Sequence, residues 1–241
     1  MPNNNHFQSG YVKVNGLKMY YEIYGTGNTL VLIHGGGSTI ATSFGRIIPL
    51  LAKHRQIIAV ELQAHGHTND RDTDLTFEQD ADDVATLLNN LKIPKADFLG
   101  FSNGAHAVVE IARRNHLLIN KIILASGVYK RSATAPKFWE IFEEVSLNTD
   151  FPPALKEAYL KDNNDQAGLQ NMFDKDVQRM KVFKGWINEQ LKEIKVPTLL
   201  ISGNKDIINL KKRLKYIALF RIANWLFYRP VMVTTWDPQK H

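Results

Sequence analysis

Cysteine is absent from the 241 residues, which excludes disulfides and thiolate metal sites and permits a reducing compartment. Internal repeats and low-complexity segments are missing too. At this length the remaining choice is one large domain with a sizeable core, or such a core with an inserted cap. The opening residues, Met1-Pro2-Asn3-Asn4-Asn5-His6, have neither the basic start nor the apolar stretch of a secretory signal, so a cytoplasmic protein is expected. The formal charge is +6, yet most of the chain has no excess of either sign. Seven of the 30 Lys and Arg, and one of the 24 acids, Asp237, lie beyond residue 208, so residues 1–208 carry 23 of each sign. A neutral body presents no basic face to a nucleic acid, and none is expected as a partner.

What is present is an alternation of strands and helices. Tyr11-Val12-Lys13-Val14 and Leu17 to Tyr24, joined by Asn15-Gly16, read as a hairpin. Thr29-Leu30-Val31-Leu32-Ile33 is continuously apolar, as in a strand covered on both faces, and runs into His34-Gly35-Gly36-Gly37. A helix carrying Phe44, Ile47, Ile48 and Leu51 follows, then a strand from Gln56 to Glu61. From Leu75 the spacing of Phe77, Ala81, Val84, Leu87, Leu88 and Leu91 is helical, with Thr76 placed to cap. Apolar runs at Ala96 to Phe101 and Lys121 to Ala125 add strands, and the pattern predicts an α/β fold with a mostly parallel sheet flanked by helices.

Between about Tyr129 and Lys192 the rhythm changes. Trp139, Phe142, Leu155, Tyr159, Met172, Phe173, Met180, Phe183 and Trp186 recur at helical spacings with no strand between them. Pro197 to Gly203 then restores a strand. The expected organisation is a core of residues 1–128 and 193–208, a helical cap of residues 129–192, and an atypical basic and aromatic tail of residues 209–241. Because Leu210 to Phe227 lacks a strand-and-turn signal, the last strand of the sheet is expected to be missing or non-native.

The chemistry centres on Gly100-Phe101-Ser102-Asn103-Gly104. A Gly-x-Ser-x-Gly turn between a buried strand and a helix forces the serine into a strained conformation and lifts its hydroxyl above the sheet. The N–H of Asn103 and the positive end of the following helix then point at the space over that hydroxyl, where an oxyanion needs support. A second backbone donor is available at Gly36, just past a strand, where no Cβ obstructs a substrate. A serine also needs a base and an acid that orients the base. Asp206, in the turn Gly203-Asn204-Lys205-Asp206 after a strand, is the candidate acid.

With these residues in place the sequence resembles the α/β-hydrolase family, in its small bacterial esterase-like branch, from about Tyr11 to Asp206. The resemblance rests on Val31 to Gly37, the loop Glu61-Leu62-Gln63-Ala64-His65-Gly66-His67-Thr68, Gly100 to Gly104, and Leu200 to Asp206. Ala64 stands where the family often has glycine. The resemblance implies Ser102 as nucleophile, Asp206 as acid, Gly36 and Asn103 as oxyanion hole, a small-molecule substrate and no cofactor. It also implies a histidine base about 25–30 residues beyond the acid, near Val231 and Met232. No histidine stands there. His241 is the only one beyond Asp206 and is the candidate base, although it is the terminal residue. His34 and His106 flank the serine and glycine motifs and are assigned to bracing turns and helix packing. A single-nucleotide frameshift would explain the tail, as a hypothesis that sequencing the gene tests. Permitted codons from Ile217 onward, read in a shifted frame, give an apolar strand followed by Gly-His-Gly, with the histidine arising across Val231 and Met232.

Three rivals are weighed. His65-Gly66-His67-Thr68-Asn69-Asp70 superficially resembles the motif of binuclear zinc hydrolases, but Asn69 and Asp70 stand where Asp and His are wanted, so no metal is expected. A hydrolase fold that lacks its base could be catalytically impaired or bind small molecules only. Lys211 to Arg229 could lie on a membrane surface, although it is too short and too interrupted by Arg221 to span one. The sequence favours a serine hydrolase acting on a small ester, lactone or related compound, as a monomer or homodimer.

Overall fold

The computed structural model describes residues 7–134, 136–203, 216, 218–220 and 223–228. The hairpin forms as the sequence leads one to expect: β1 (Phe7–Val14) and β2 (Leu17–Tyr24) turn at Asn15 and Gly16, with φ of 45° and 81°. Two successive positive φ values suit a tight hairpin turn, whose twist matches that of the strands. The remaining strands are β3 (Thr29–Ile33), β4 (Gln56–Val60), β5 (Ala96–Phe101), β6 (Ile119–Ala125), β7 (Thr198–Gly203) and β8 (Ala223–Tyr228). They form one eight-stranded sheet in the order β1-β2-β4-β3-β5-β6-β7-β8. β1, β2 and β4 pair antiparallel, and every other pairing is parallel.

Three expectations are corrected. The single helix through Phe44 and Leu51 is two short ones, α1 (Ile40–Phe44) and α2 (Ile48–Leu51), because Pro49 starts a new helix in its first turn. The strand β6 starts at Ile119, two residues before Lys121. Of the two expectations for the last strand, missing or non-native, the first does not hold: β8 pairs parallel with β7 from Thr198↔Ala223 to Gly203↔Tyr228. Arg221 and Arg229 flank that run rather than interrupt it, and Ala-Asn-Trp-Leu-Phe-Tyr is rich in the aromatic residues that strands favour.

Both faces of the sheet are covered, which is why its central strands read as unbroken apolar runs. Val31, Ile33, Ile58 and Val60 face the larger core with Phe77, Val84, Leu87 and Val108, whereas Leu30, Leu32, Ile57 and Ala59 pack on Ile40, Phe44 and Ile48. The long helices are α3 (Phe77–Asn90), capped by the Thr76 hydroxyl accepting from Gln79 N–H, and α4 (Asn103–Arg114). Between β6 and β7 lie α5 (Pro136–Glu144), α6 (Pro153–Asn163), α7 (Gln166–Val182) and α8 (Asn188–Lys192). Among the described residues no helix is long and apolar enough to cross a membrane.

The sheet order places the chemistry. From β3 the chain goes to β4 on one side, while β5 takes the place on the other, with Ile33 paired to Gly100. The loops leaving β3 and β5 therefore diverge over the carboxyl ends of adjacent strands, the crevice where open α/β sheets bind ligands. His34-Gly35-Gly36-Gly37 and Ser102 are those two loops.

Candidate active site

Ser102 has φ 51° and ψ −117°, a backbone state that costs a non-glycine residue on the order of 1–3 kcal/mol. The turn holds because its neighbours fix it. Ser102 N–H donates to Ala125 O of β6 at 2.8 Å, and Ala105 N–H donates to Ser102 O at 2.9 Å. A Cβ at Gly100 would collide with the Gly104 carbonyl, and one at Gly104 would collide with the Ile33 carbonyl. Only glycines let the elbow sit this close to the end of β3.

The glycine loop after β3 reaches the same point. An ideal Cβ on Gly35 would lie 3.4 Å from the Cβ of Ser102, and one on Gly36 would collide with the Asn103 side-chain amide. Gly36, Ser102 and Asn103 thus converge. Ser102 and Gly36 are half-buried, Asn103 is buried, and Phe101 beside them is exposed. His34 braces the loop: its Nε2 accepts from Leu62 N–H at 3.0 Å, so Nδ1 carries the proton and donates to Gly35 O at 2.7 Å. Burial, with the adjacent His65, pushes its pKa down to about 4. His106 is a packing residue, its ring against Phe77, Phe183 and Trp186, with Nε2 accepting from Val128 N–H at 2.9 Å. Burial takes its pKa to about 3, so both rings are neutral at pH 7.

A carboxylate that sequence reasoning passed over sits against this loop. Asp176, on α7, accepts from Gly37 N–H at 2.6 Å, and its Oδ2 lies 2.9 Å from where a Gly36 Cβ would be. His65 Nε2 lies 2.9 Å from the same oxygen, and its Nδ1 lies 2.8 Å from Gln63 O. The Gln63 carbonyl at Nδ1 and the Asp176 carboxylate at Nε2 favour a proton on each nitrogen and so a charged ring, while Gly37 N–H, which bonds Asp176, also lies 3.2 Å from Nε2. Burial opposes that charge, but the Asp176 carboxylate outweighs it and holds the His65 pKa above its ordinary value. Burial likewise disfavours the Asp176 anion, yet Arg179 and His65, together with the Gly37 N–H, hold its pKa well below the carboxylate range. Arg179 pairs with Asp176 and, at 2.8 Å, with Asp80 at the start of α3. Burial pushes Asp80 up to about 6. The signal for this quartet was in the sequence. Leu169, Met172, Phe173, Asp176, Arg179 and Met180 form the buried stripe of α7, and two charges on an otherwise apolar helical stripe call for partners.

Among the described residues one side-chain group could hold an ion: Glu61, His67 and Asp162, with ligand atoms within 4.8 Å of one another. The Glu61 carboxylate already accepts from Ile40 N–H at 3.2 Å, His67 N–H at 2.6 Å and His67 Nδ1 at 2.9 Å. It acts as the brace of the loop after β4. Asp206 and His241 lie outside the described residues, as does most of the stretch on which the frameshift reading rests.

The comparisons agree with this architecture. A family model described as "Alpha/beta hydrolase family" matches residues 30–233. The chain is 28% identical over 225 residues to an uncharacterized hydrolase, YugF, of Bacillus subtilis (strain 168), covering 81% of this chain and 80% of that one. It is 23% identical over 235 residues to the 2-hydroxy-6-oxo-6-(2'-aminophenyl)hexa-2,4-dienoic acid hydrolase of Metapseudomonas resinovorans, covering 87% and 79%. Among solved structures it is similar to the 2-hydroxy-6-oxo-6-phenylhexa-2,4-dienoate hydrolase of Rhodococcus sp. strain RHA1, with TM-score 0.79 and 17% identity over 94% of this chain and 92% of that one. It is also similar to the enol-lactonase of Burkholderia xenovorans LB400, with TM-score 0.70 and 23% identity over 90% of each. With a model match over most of its length and a sheet of the expected order, this chain belongs to the α/β-hydrolase family and is a hydrolase.

Proposed function

We propose that the chain is a serine hydrolase that cleaves a small carboxylic ester, lactone or related compound through an acyl-enzyme. The observation that carries this reading is the strained Ser102, at φ 51°, beside Gly36 and Asn103 over the ends of β3 and β5. Strain of this kind is retained where it serves a function. In this reading Ser102 Oγ attacks the acyl carbon, a histidine takes its proton, and the Gly36 and Asn103 N–H groups receive the oxyanion. The alcohol leaves with that proton, and water repeats the sequence to release the acid. Asp206 orients the base, for which His241 is the candidate downstream of it. Residues 129–192 form the cap that shapes the pocket. The names of the relatives, a dienoic acid hydrolase and an enol-lactonase, fit a substrate with a reactive carbonyl.

A panel of short acyl esters with wild type, Ser102→Ala and His241→Ala tests the reading. Ser102→Ala is expected to lower turnover by about 10³-fold or more, and a fluorophosphonate is expected to label wild type at Ser102. Equal turnover in wild type and Ser102→Ala rejects the serine mechanism. A second reading, an impaired hydrolase or small-molecule binder, draws on the absence of any histidine between Asp206 and His241. Silence towards both ester and fluorophosphonate supports it.

A further inference from the structure

We propose that His67 and Asp162, with Glu61 behind them, bind a divalent transition-metal ion that clasps α6 to the loop after β4. The site does not rest on the assignment of Ser102. Glu61 follows the last residue of β4, His67 is six residues further on, and Asp162 lies in the last turn of α6. Ligand atoms of the three lie within 4.8 Å of one another. The Asn163 amide donates to Gly66 O, which docks that last turn of α6 on the loop.

Each residue has its own part. The Glu61 carboxylate accepts from His67 N–H at 2.6 Å and from His67 Nδ1 at 2.9 Å, and Tyr20 stacks on the ring at 4.3 Å between centroids. In the neutral ring Nδ1 therefore carries the proton and Nε2 keeps its lone pair, the arrangement in which a carboxylate orients a metal-binding histidine. Asp162 is half-buried, and among the described residues its carboxylate makes no hydrogen bond and no ion pair; His67 and Lys161 act on it only at a distance. A half-buried anion without a partner costs free energy that a cation offsets. His67 and Asp162 stand too far apart to pair directly, whereas two metal–ligand bonds of about 2.0–2.2 Å span about 4 Å. The charges of Glu61 and Asp162 balance a divalent ion. A nitrogen ligand favours zinc and its neighbours over magnesium and calcium, which take oxygen. The site is not the binuclear one weighed from the sequence, because His65 of the same motif is engaged with Gln63 O and Asp176.

Isothermal calorimetry of the full chain with Zn²⁺, beside Asp162→Asn and His67→Gln, tests the clasp. Wild type is expected to bind one ion about tenfold or more tightly than either variant, and Mg²⁺ at the same concentration is expected to give no binding. Zn²⁺ should also raise the thermal midpoint of wild type and not that of Asp162→Asn, since a ligand of the folded state stabilises it. Equal zinc affinity in wild type and Asp162→Asn, as exposed histidines such as His54 and His116 would give, overturns the proposal. So does the absence of zinc binding in wild type, or equal binding of Mg²⁺. Should His67→Gln fail to fold, Asp162→Asn decides, because it removes no hydrogen bond. Zinc binding with no ester hydrolysis rejects the serine mechanism and leaves the clasp standing.

Discussion

A methyl group at position 36 would land on the Asn103 amide and 2.9 Å from Asp176 Oδ2. Gly36→Ala is therefore expected to displace the loop, lowering ester turnover by about 10²-fold or more, the loss typical of one missing oxyanion donor. Stability should fall less, by about 1–3 kcal/mol, and paired kinetic and urea-denaturation measurements separate the two effects. Position 102 offers the opposite trade. At φ 51° a side chain is strained and glycine is not, so Ser102→Gly should be about 1 kcal/mol more stable than Ser102→Ala while both are inactive. A denaturation midpoint for Ser102→Gly below that of Ser102→Ala contradicts this account of the elbow. At this scale Ser102, Asn103 and Gly36 were legible because glycine spacing and position after a strand are local signals. Asp176 was not, since its partners Gly37 and His65 are 139 and 111 residues away along the chain.

At the scale of elements, α7 is held to the sheet's loops by charge as well as by Met172 and Phe173. Lys175 and Asn171 both donate to Asp70, at 2.5 and 2.8 Å, and Asp176 ties the same helix to the glycine loop and His65. The His65 pKa is raised in the fold. Its stabilising contribution is thus complete below the ordinary value of about 6.5 and is lost as pH rises through the higher folded value. The Asp176 pKa is lowered, so its contribution is present above about 4 and is lost only as pH falls towards the folded value. Between these limits the pair is intact. In denaturation from pH 6 to 9 the His65 contribution should appear as a decline in stability on the alkaline side, above the range of pH 6 to 7 in which the neutral His34 and His106 make stability rise. His65→Gln should flatten that slope. His67, also raised through its bond to Glu61 but with a side chain 31% exposed, should contribute less, so His67→Gln should leave most of the slope in place. An unchanged slope in His65→Gln removes His65 as its source. The elements themselves were largely readable, because period and caps set them: Thr76 capped α3, and the apolar stripe of α7 stood out. The division of α1 from α2 was missed because apolar spacing continues across Pro49, where the backbone cannot.

For the whole molecule, strand alternation foretold the parallel sheet and the side-by-side loops of β3 and β5. It failed at the far edge. There the charges of Lys211 to Arg229 masked a short aromatic strand, since β pairing depends on a partner strand that local composition does not report. β8 takes the edge beyond β7 with pairs from Thr198 to Gly203. Ahead of it Tyr216 stacks on Tyr129 at 4.3 Å between ring centroids, and Phe220 is buried against the same core. A chain ended at Asn209 would lose these rings and the strand together. The edge of β7 would then expose unpaired backbone groups in a parallel strand rich in Leu and Ile, a template for association between chains. If residues 216–228 complete the sheet, the shortened chain should aggregate or lose cooperative unfolding, and the full chain should stay in solution with a single transition. If instead they are a foreign appendage, the shortened chain should match or exceed the full one in thermal midpoint and in recovery from size-exclusion chromatography. The loss of two buried aromatic rings alone is worth several kcal/mol, at about 3–5 kcal/mol for a core Phe. That is a large share of the 5–15 kcal/mol by which a domain is usually stable, so the two outcomes are well separated.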